Sequence, residues 1–197
     1  MELRSENDPT RSLRYGVYGV LIALAGGSML GRIAAVNSVD NIRLESYLNA
    51  QADKEGKPHR VLQRPFLSGN DRSRWALVRA LVENGTYSID GIICETNWDT
   101  IDMVQHQDAE GVWRQYSSKP PLLPTLLAGP YWLIHRATGW TLGDHPYEIG
   151  RLLLVLANLL PLLLTMALVA GVVERLGVTD FGKLAVVAAA CGATLLT

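Results

Sequence analysis

Residues 152–173 read LLLVLANLLPLLLTMALVAGVV, an apolar run without a charged side chain. A helix of about 20 such residues crosses the roughly 30 Å hydrocarbon core of a bilayer. Pro161 interrupts the run, but spanning helices tolerate proline because neighbouring groups satisfy the carbonyl that it frees. The run predicts a membrane-spanning helix over residues 150–173.

A second apolar run covers residues 15–36 and is interrupted only by Ser28 and Arg32. Arg32 lies near its end, where a long basic side chain reaches the membrane interface. We predict a first span here. The alternative is the core of a signal peptide, because Arg11 and Arg14 precede the run.

Two further stretches are also apolar, but they indicate membrane spans less strongly. Residues 120–136 are short and rich in proline, with Tyr131 and Trp132 at the position of an interfacial aromatic belt. We predict a second span here, with a re-entrant segment as the alternative. Residues 183–197 are apolar where the sequence stops, which predicts a truncated fourth helix. The expected fold class is a mainly α-helical, polytopic membrane protein, and the chain is expected to be the N-terminal part of a longer one.

Orientation follows from basic residues beside short connections, which favour the inner side of the membrane. The N-terminal residues 1–14 carry three of them and the connection after the second span carries two more, namely Arg4, Arg11, Arg14, Arg136 and Arg151. We therefore expect a bacterial inner-membrane protein with residues 1–14 in the cytoplasm and residues 37–119 outside. The net charge of −1, without a block of Lys and Arg, argues against a nucleic-acid partner.

The loop over residues 37–119 is too long for a simple connection. Helical spacing of apolar residues predicts an amphipathic helix over 41–52, and a second helix over 72–84 that Asn70 or Asp71 caps and Gly85 ends. Two short strands around a turn predict a β-hairpin, with its arms over 98–105 and 112–117. The expected loop is therefore an α/β unit.

The ends of this loop carry the chemistry. It contains Asp71-Arg72-Ser73-Arg74-Trp75-Ala76 and closes with Tyr116-Ser117-Ser118-Lys119-Pro120-Pro121-Leu122. A carboxylate at a helix start either caps the helix or serves as a general base. A lysine at a membrane entry either extends to the interface or stabilises a phosphate.

These motifs resemble the first outer loop of polyprenyl-phosphate-dependent glycosyltransferases of the GT-C superfamily, such as the aminoarabinose transferases of lipid A, the protein O-mannosyltransferases and the RgtA-like group. The resemblance implies that Asp71 is the catalytic acid of the motif and that Arg74 and Lys119 bind the lipid-linked phosphate. Where family members commonly have a second acidic residue, this chain has Arg72. It also implies a polyprenyl-phosphate sugar donor, an acceptor that is a lipid, a glycan or a protein, and contact with the bilayer.

The expected function is therefore transfer of a sugar on the outer face of the membrane. Two alternatives are a non-catalytic protein whose loop is a binding or assembly module, and a subunit that transports lipid-linked sugars. A divalent metal is a candidate cofactor, since five acidic residues lie near His106 without Lys or Arg among them, although a solvated acidic face explains the same pattern: Asp90, Glu95, Asp99, Asp102 and Asp108.

Overall fold

The computed structural model describes residues 9–35, 41–59, 61, 66 and 68–195. Helices account for 71% of the described residues, which confirms the mainly helical class. In chain order the elements are α1 (Pro9–Ala34), α2 (Asn41–Glu55), α3 (Gly69–Arg79), α4 (Asp90–Ile93), β1 (Met103–Gln107), β2 (Trp113–Ser117), α5 (Leu122–Thr138), α6 (Pro146–Leu154), α7 (Leu160–Leu176) and α8 (Asp180–Leu195), with π-helical turns at Ala80–Asn84 and Val155–Leu159.

The chain forms two compact units. One contains α1, α7 and α8, and we call it the bundle; the other is Ala35–Leu153, and we call it the polar unit. Four predicted segments, over residues 1–14, 15–36, 37–119 and 183–197, include residues that lie outside the described ones, namely 1–8, 36–40, 60, 62–65, 67 and 196–197.

In the bundle, α1 and α7 run in opposite directions. Arg14, near the start of α1, pairs with Glu174 near the end of α7, with Nε 2.8 Å from Oε1. Further along α1, a Cβ added at Gly26 would lie 2.9 Å from Leu163 Cδ2. The helices close on a core of small and apolar residues, namely Tyr18, Ala25, Met166, Ala170, Val187 and Cys191.

Charged side chains are buried where α1 begins. The Arg14 guanidinium also lies 2.8 Å from Asp180 Oδ1, and Lys183 Nζ lies 3.4 Å from Glu174 Oε2. Tyr18 donates its hydroxyl to Glu174 over 2.8 Å. Each buried charge therefore has a partner of opposite sign, as burial requires.

Two helices are long and apolar enough to cross a membrane. They are Thr10–Ala34 and the continuous helix Pro146–Leu176, and only 22% and 17% of their most apolar windows is buried inside the protein. Large apolar side chains such as Leu24 and Leu168 face outward, each about 60% exposed. This weakly suggests a membrane protein, with two candidate membrane-spanning helices.

The segment predicted as the second span behaves differently from the other two. Residues 120–136 correspond to α5, which belongs to the polar unit and packs against α3. A single crossing between α1 and α7 would make those two helices parallel, whereas they are antiparallel. A second span over residues 120–136 stays a prediction, and Tyr131 of this segment is buried against protein groups.

The polar unit is built around α3, whose apolar side is buried. Phe66 stacks on Trp75 with ring centroids 4.5 Å apart. The helix continues through the π-helical turn and ends at Gly85, whose φ of +66° favours glycine. Strands β1 and β2 pair in antiparallel register, with Met103 opposite Ser117. The helix and β2 lie where the sequence predicts them, whereas β1 covers Met103–Gln107 and begins five residues later than the predicted arm over 98–105.

Candidate functional site

The start of α3 holds Asp71 in a reciprocal capping arrangement. The N-cap is Ser68, whose Oγ accepts a hydrogen bond from the backbone N–H of Asp71 over 3.1 Å. The Ser68 hydroxyl in turn donates to Asp71 Oδ2 over 2.6 Å. The prediction that Asn70 or Asp71 caps the helix is wrong, because the helix begins earlier, at Gly69. Asp71 supports the cap from the first turn, where a carboxylate also favours the helix dipole.

Arg74 lies one turn after Asp71. Its Nη1 is 3.5 Å from Asp71 Oδ1, and the two side chains are 45% and 53% exposed. An exposed pair at this separation is weak. The Oδ1 atom of Asp71 is therefore accessible to solvent and to a ligand.

Lys119 reaches a carboxylate that no sequence motif includes. Its Nζ lies 2.7 Å from Asp102 Oδ2, and the two side chains are 24% and 22% exposed. Ser118 donates its hydroxyl to the other oxygen of Asp102. The hydrogen bonds from Lys119 and Ser118 hold the pKa of Asp102 below its usual value, and the positive charge of Arg74 lowers that pKa further. Asp102 is therefore the carboxylate partner of Lys119 and lies within electrostatic range of Arg74.

Arg72 fixes the segment that carries Asp102 against α3. It is only 8% exposed. Its Nε donates to the carbonyl of Asp99 over 2.7 Å and its Nη1 to the carbonyl of Phe66 over 3.0 Å. Thr100 adds a hydrogen bond of 2.8 Å from its hydroxyl to the carbonyl of Gly69. Arg72 thus has a structural role here.

A pair of serines brings the hairpin to the same place. Ser73 on α3 and Ser117 at the end of β2 have their hydroxyl oxygens 2.7 Å apart. The backbone N–H of Lys119 donates to Ser117 Oγ over 3.2 Å. This contact directs the chain after β2 along α3, which places Lys119 beside Asp102.

The result is a cluster of alternating charges, formed by Asp71, Arg74, Asp102 and Lys119, which we call the charge cluster. Its formal charges sum to zero. It offers an accessible carboxylate for proton transfer and two cations for an anionic group. Sequence reasoning missed Asp102, which it counted only within an acidic stretch; no spacing in the sequence distinguishes it from its neighbours.

That acidic stretch is not a uniformly solvated face. Asp90 and Asp108 pair with Arg114, at 3.8 Å and 3.0 Å, and Glu95 pairs with Arg79 at 2.6 Å. Within the described part of the chain, no three His, Cys, Asp or Glu side chains group closely enough to hold a metal ion. A divalent cofactor stays a prediction.

Behind the charge cluster, Arg79 organises a second, buried network. It is 5% exposed and donates to Glu83 over 2.9 Å. Its guanidinium also lies 4.7 Å from the centroid of the Trp98 ring. Tyr131 on α5 donates to Glu83 and accepts the backbone N–H of Leu142 over 2.8 Å. The network holds α5 against the π-helical turn, a feature often found near functional sites.

No protein-family model, curated protein or solved structure matches the chain.

Proposed function

We propose that the chain is part of a membrane glycosyltransferase that moves a sugar from a polyprenyl phosphate to an acceptor on the outer face of the membrane. The observation that supports this proposal is the convergence of Asp71, Arg74 and Lys119 around Asp102, although the two motifs are distant in sequence. The transfer requires a base for the acceptor hydroxyl and cations for the leaving phosphate, and the charge cluster contains both.

The proposed chemistry uses three members of the charge cluster, Asp71, Arg74 and Lys119. Asp71 takes the proton of the acceptor hydroxyl, whose oxygen forms a bond to the anomeric carbon of the sugar. The bond from that carbon to the phosphate oxygen breaks, and the polyprenyl phosphate leaves with the electron pair. Arg74 and Lys119 stabilise its charge. Because Lys119 is paired with Asp102 in this structure, the donor phosphate replaces the Asp102 carboxylate as its partner.

The proposed location is the bacterial inner membrane, with the N-terminus inside and the loop over residues 37–119 outside. Cys94 is exposed in the polar unit, whereas Cys191 is buried in the bundle. A maleimide that cannot cross membranes should therefore label Cys94 in intact spheroplasts, and Cys94→Ser should abolish the labelling. Labelling that appears only after lysis would place the polar unit inside and contradict this orientation.

The test of function is sugar transfer from a radiolabelled polyprenyl-phosphate sugar in membranes that express the full gene product. Wild type is compared with Asp71→Asn at equal protein level, and Asp53→Asn on α2 is the matched control because it changes an exposed aspartate outside the charge cluster. We expect transfer by the wild type and the control and loss of at least about 100-fold in Asp71→Asn. Equal transfer by all three would remove Asp71 from the reaction.

A second candidate is a non-catalytic module for binding or assembly. It is favoured by the existing partners of the site: Ser68 holds Asp71 in the helix cap and Asp102 neutralises Lys119. Under this alternative, no transfer occurs with any sugar donor, and Asp71→Asn affects only the stability of α3. The same assay therefore separates the two candidates.

A further inference from the structure

A separate pocket of about 380 Å³ opens in the polar unit. Its walls come from the end of the π-helical turn at Asn84, the start of α4 at Asp90 and the hairpin residues Asp108, Arg114 and Tyr116. Successive residues of a strand point to opposite faces. Because Ser117 contacts α3, the neighbouring Tyr116 faces away from α3 and the pocket is distinct from the charge cluster.

Several polar groups in this pocket have unused hydrogen-bonding capacity. Among the described residues, the Asn84 amide and the Tyr116 hydroxyl make no side-chain hydrogen bond. Thr86 Oγ1 accepts the backbone N–H of Ser88 over 3.1 Å, which leaves its own hydroxyl hydrogen free to donate. Together these groups offer donors and acceptors side by side.

The charged groups of the pocket are already paired with one another. Asp108 accepts hydrogen bonds from the backbone of Val112 over 2.9 Å and from Arg114 Nε over 3.0 Å, and these contacts lower its pKa. Asp90 accepts the backbone N–H of Gln115 over 2.7 Å. Two carboxylates and one guanidinium leave a formal charge of −1. This charge disfavours a phosphate or any other anion.

We propose that this pocket binds one neutral saccharide unit. Each hydroxyl of a sugar can both donate and accept a hydrogen bond. Several such hydroxyls together can pair with the amide of Asn84, the hydroxyls of Tyr116 and Thr86, and the free guanidinium hydrogens of Arg114. The volume lies at the lower end of the range for small-ligand sites. The site is independent of the charge cluster, and it binds saccharide whether or not the chain transfers one.

The test is binding of neutral sugars to the full chain in phosphatidylcholine nanodiscs. The protein is produced in a bacterial host that does not glycosylate it, because Asn84-Gly85-Thr86 matches the N-glycosylation sequence. Glucose, mannose, galactose, arabinose and N-acetylglucosamine are each titrated and observed by saturation-transfer NMR. Inorganic phosphate is added as a competitor.

We expect at least one of these sugars to give a saturable signal that phosphate does not compete away. Asn84→Ala and Tyr116→Phe each remove a hydrogen-bonding group and should weaken binding about fivefold. Tyr47→Phe is the matched control, because Tyr47 is an exposed tyrosine on α2, outside the pocket. Its affinity should equal that of wild type.

Three results would overturn the proposal: no saturable signal from any of the five sugars, loss of the signal when phosphate is added, or equal affinity in wild type and both pocket variants. Tyr116→Phe keeps the ring and changes one atom, so it remains informative if Asn84→Ala does not fold. Circular dichroism and the elution volume in gel filtration establish folding of each variant.

Discussion

The ammonium of Lys119 lies 2.7 Å from a carboxylate oxygen of Asp102, and Ser118 donates to the other oxygen of the same group. The lysine of one predicted motif is therefore not an isolated interfacial charge. Lys119 is oriented by the carboxylate of Asp102, whose pKa is also lowered by the charge of Arg74. This pairing determines how the charge cluster responds to pH and to substitution.

Lys119→Gln should raise the pKa of Asp102 toward the unperturbed value of about 3.9. A carboxyl group whose pKa is lowered by folding stabilises the folded state above its unfolded pKa, and this contribution is lost as the pH falls through the folded pKa. The Asp102 carboxyl should therefore be protonated at a lower pH in wild type than in the variant. NMR titration of the Asp102 carboxyl carbon measures the change. Lys57→Gln, which removes a lysine that pairs with Glu55, should leave the titration of Asp102 unaltered.

Ser68→Ala should lower the free energy of unfolding by about 1 kcal/mol, because it removes the N-cap of α3 and the hydroxyl that holds Asp71. Ser68→Thr keeps a hydroxyl at this position and should cost less. Unfolding by SDS in mixed micelles, followed by circular dichroism, measures both. Equal stability of wild type and Ser68→Ala would show that the cap contributes nothing to the fold.

Tyr131→Phe should destabilise the polar unit by about 1–3 kcal/mol, because the buried backbone N–H of Leu142 loses its hydrogen-bond acceptor. Tyr87→Phe is a suitable comparison. Tyr87 is 47% exposed and its hydroxyl lies 3.2 Å from that of Thr125, so its loss should cost less than about 0.5 kcal/mol. The same unfolding measurement compares the two. A larger loss in Tyr87→Phe would contradict the assigned role of Tyr131.

Gly143→Ala should destabilise the protein by about 1–3 kcal/mol. Its Cβ would lie 2.7 Å from Nη2 of Arg79 and 3.1 Å from Cζ. Arg79 cannot yield freely, since Glu83 and Trp98 hold its guanidinium. Gly129→Ala on α5 is the matched control because a Cβ there meets nothing within 4 Å. The control should gain up to about 1 kcal/mol from better helix propensity, and a loss of stability in both variants would contradict the steric argument.

Glu174→Gln should lower the free energy of unfolding of the bundle by about 3 kcal/mol, because it leaves buried Arg14 and Lys183 with less opposing charge. Asp180→Asn should have a smaller effect, since Asp180 is 46% exposed and water can replace its contact with Arg14. Thermal unfolding in detergent compares the variants. If Asp180→Asn lowered the stability more than Glu174→Gln, Glu174 would not be the main partner of the buried cations in the bundle.

Local patterns were sufficient to locate α3 and the hairpin. Apolar residues such as Trp75 and Val78 recur at helical spacing, and Gly85 supplies the left-handed backbone that ends the helix. The hairpin is signalled by the turn around Asp108 and Gly111, where Gly111 has a φ of +81°. Both signals act over a few residues, and a single sequence contains them.

Tertiary contacts decided the parts that the sequence did not predict. The apolar composition of α5 does not indicate that Tyr131 is fully buried and hydrogen-bonded to Glu83 and Leu142. Likewise, Asp102 is distinguished from the neighbouring acidic residues by its ion pair with Lys119, which the fold of the hairpin places beside it. Neither partner is close in sequence, so no local pattern encodes the contact.

The Arg14–Glu174 pair joins residues separated by 160 positions, whereas the contacts of the polar unit lie within Ala35–Leu153. A ribosome therefore completes the whole polar unit before it makes Glu174 and Asp180, with which Arg14 pairs. Domains tend to fold as units while the chain grows. The polar unit should consequently fold first. The core of the bundle, to which α1 contributes, can form only after α7 and α8 have been synthesised.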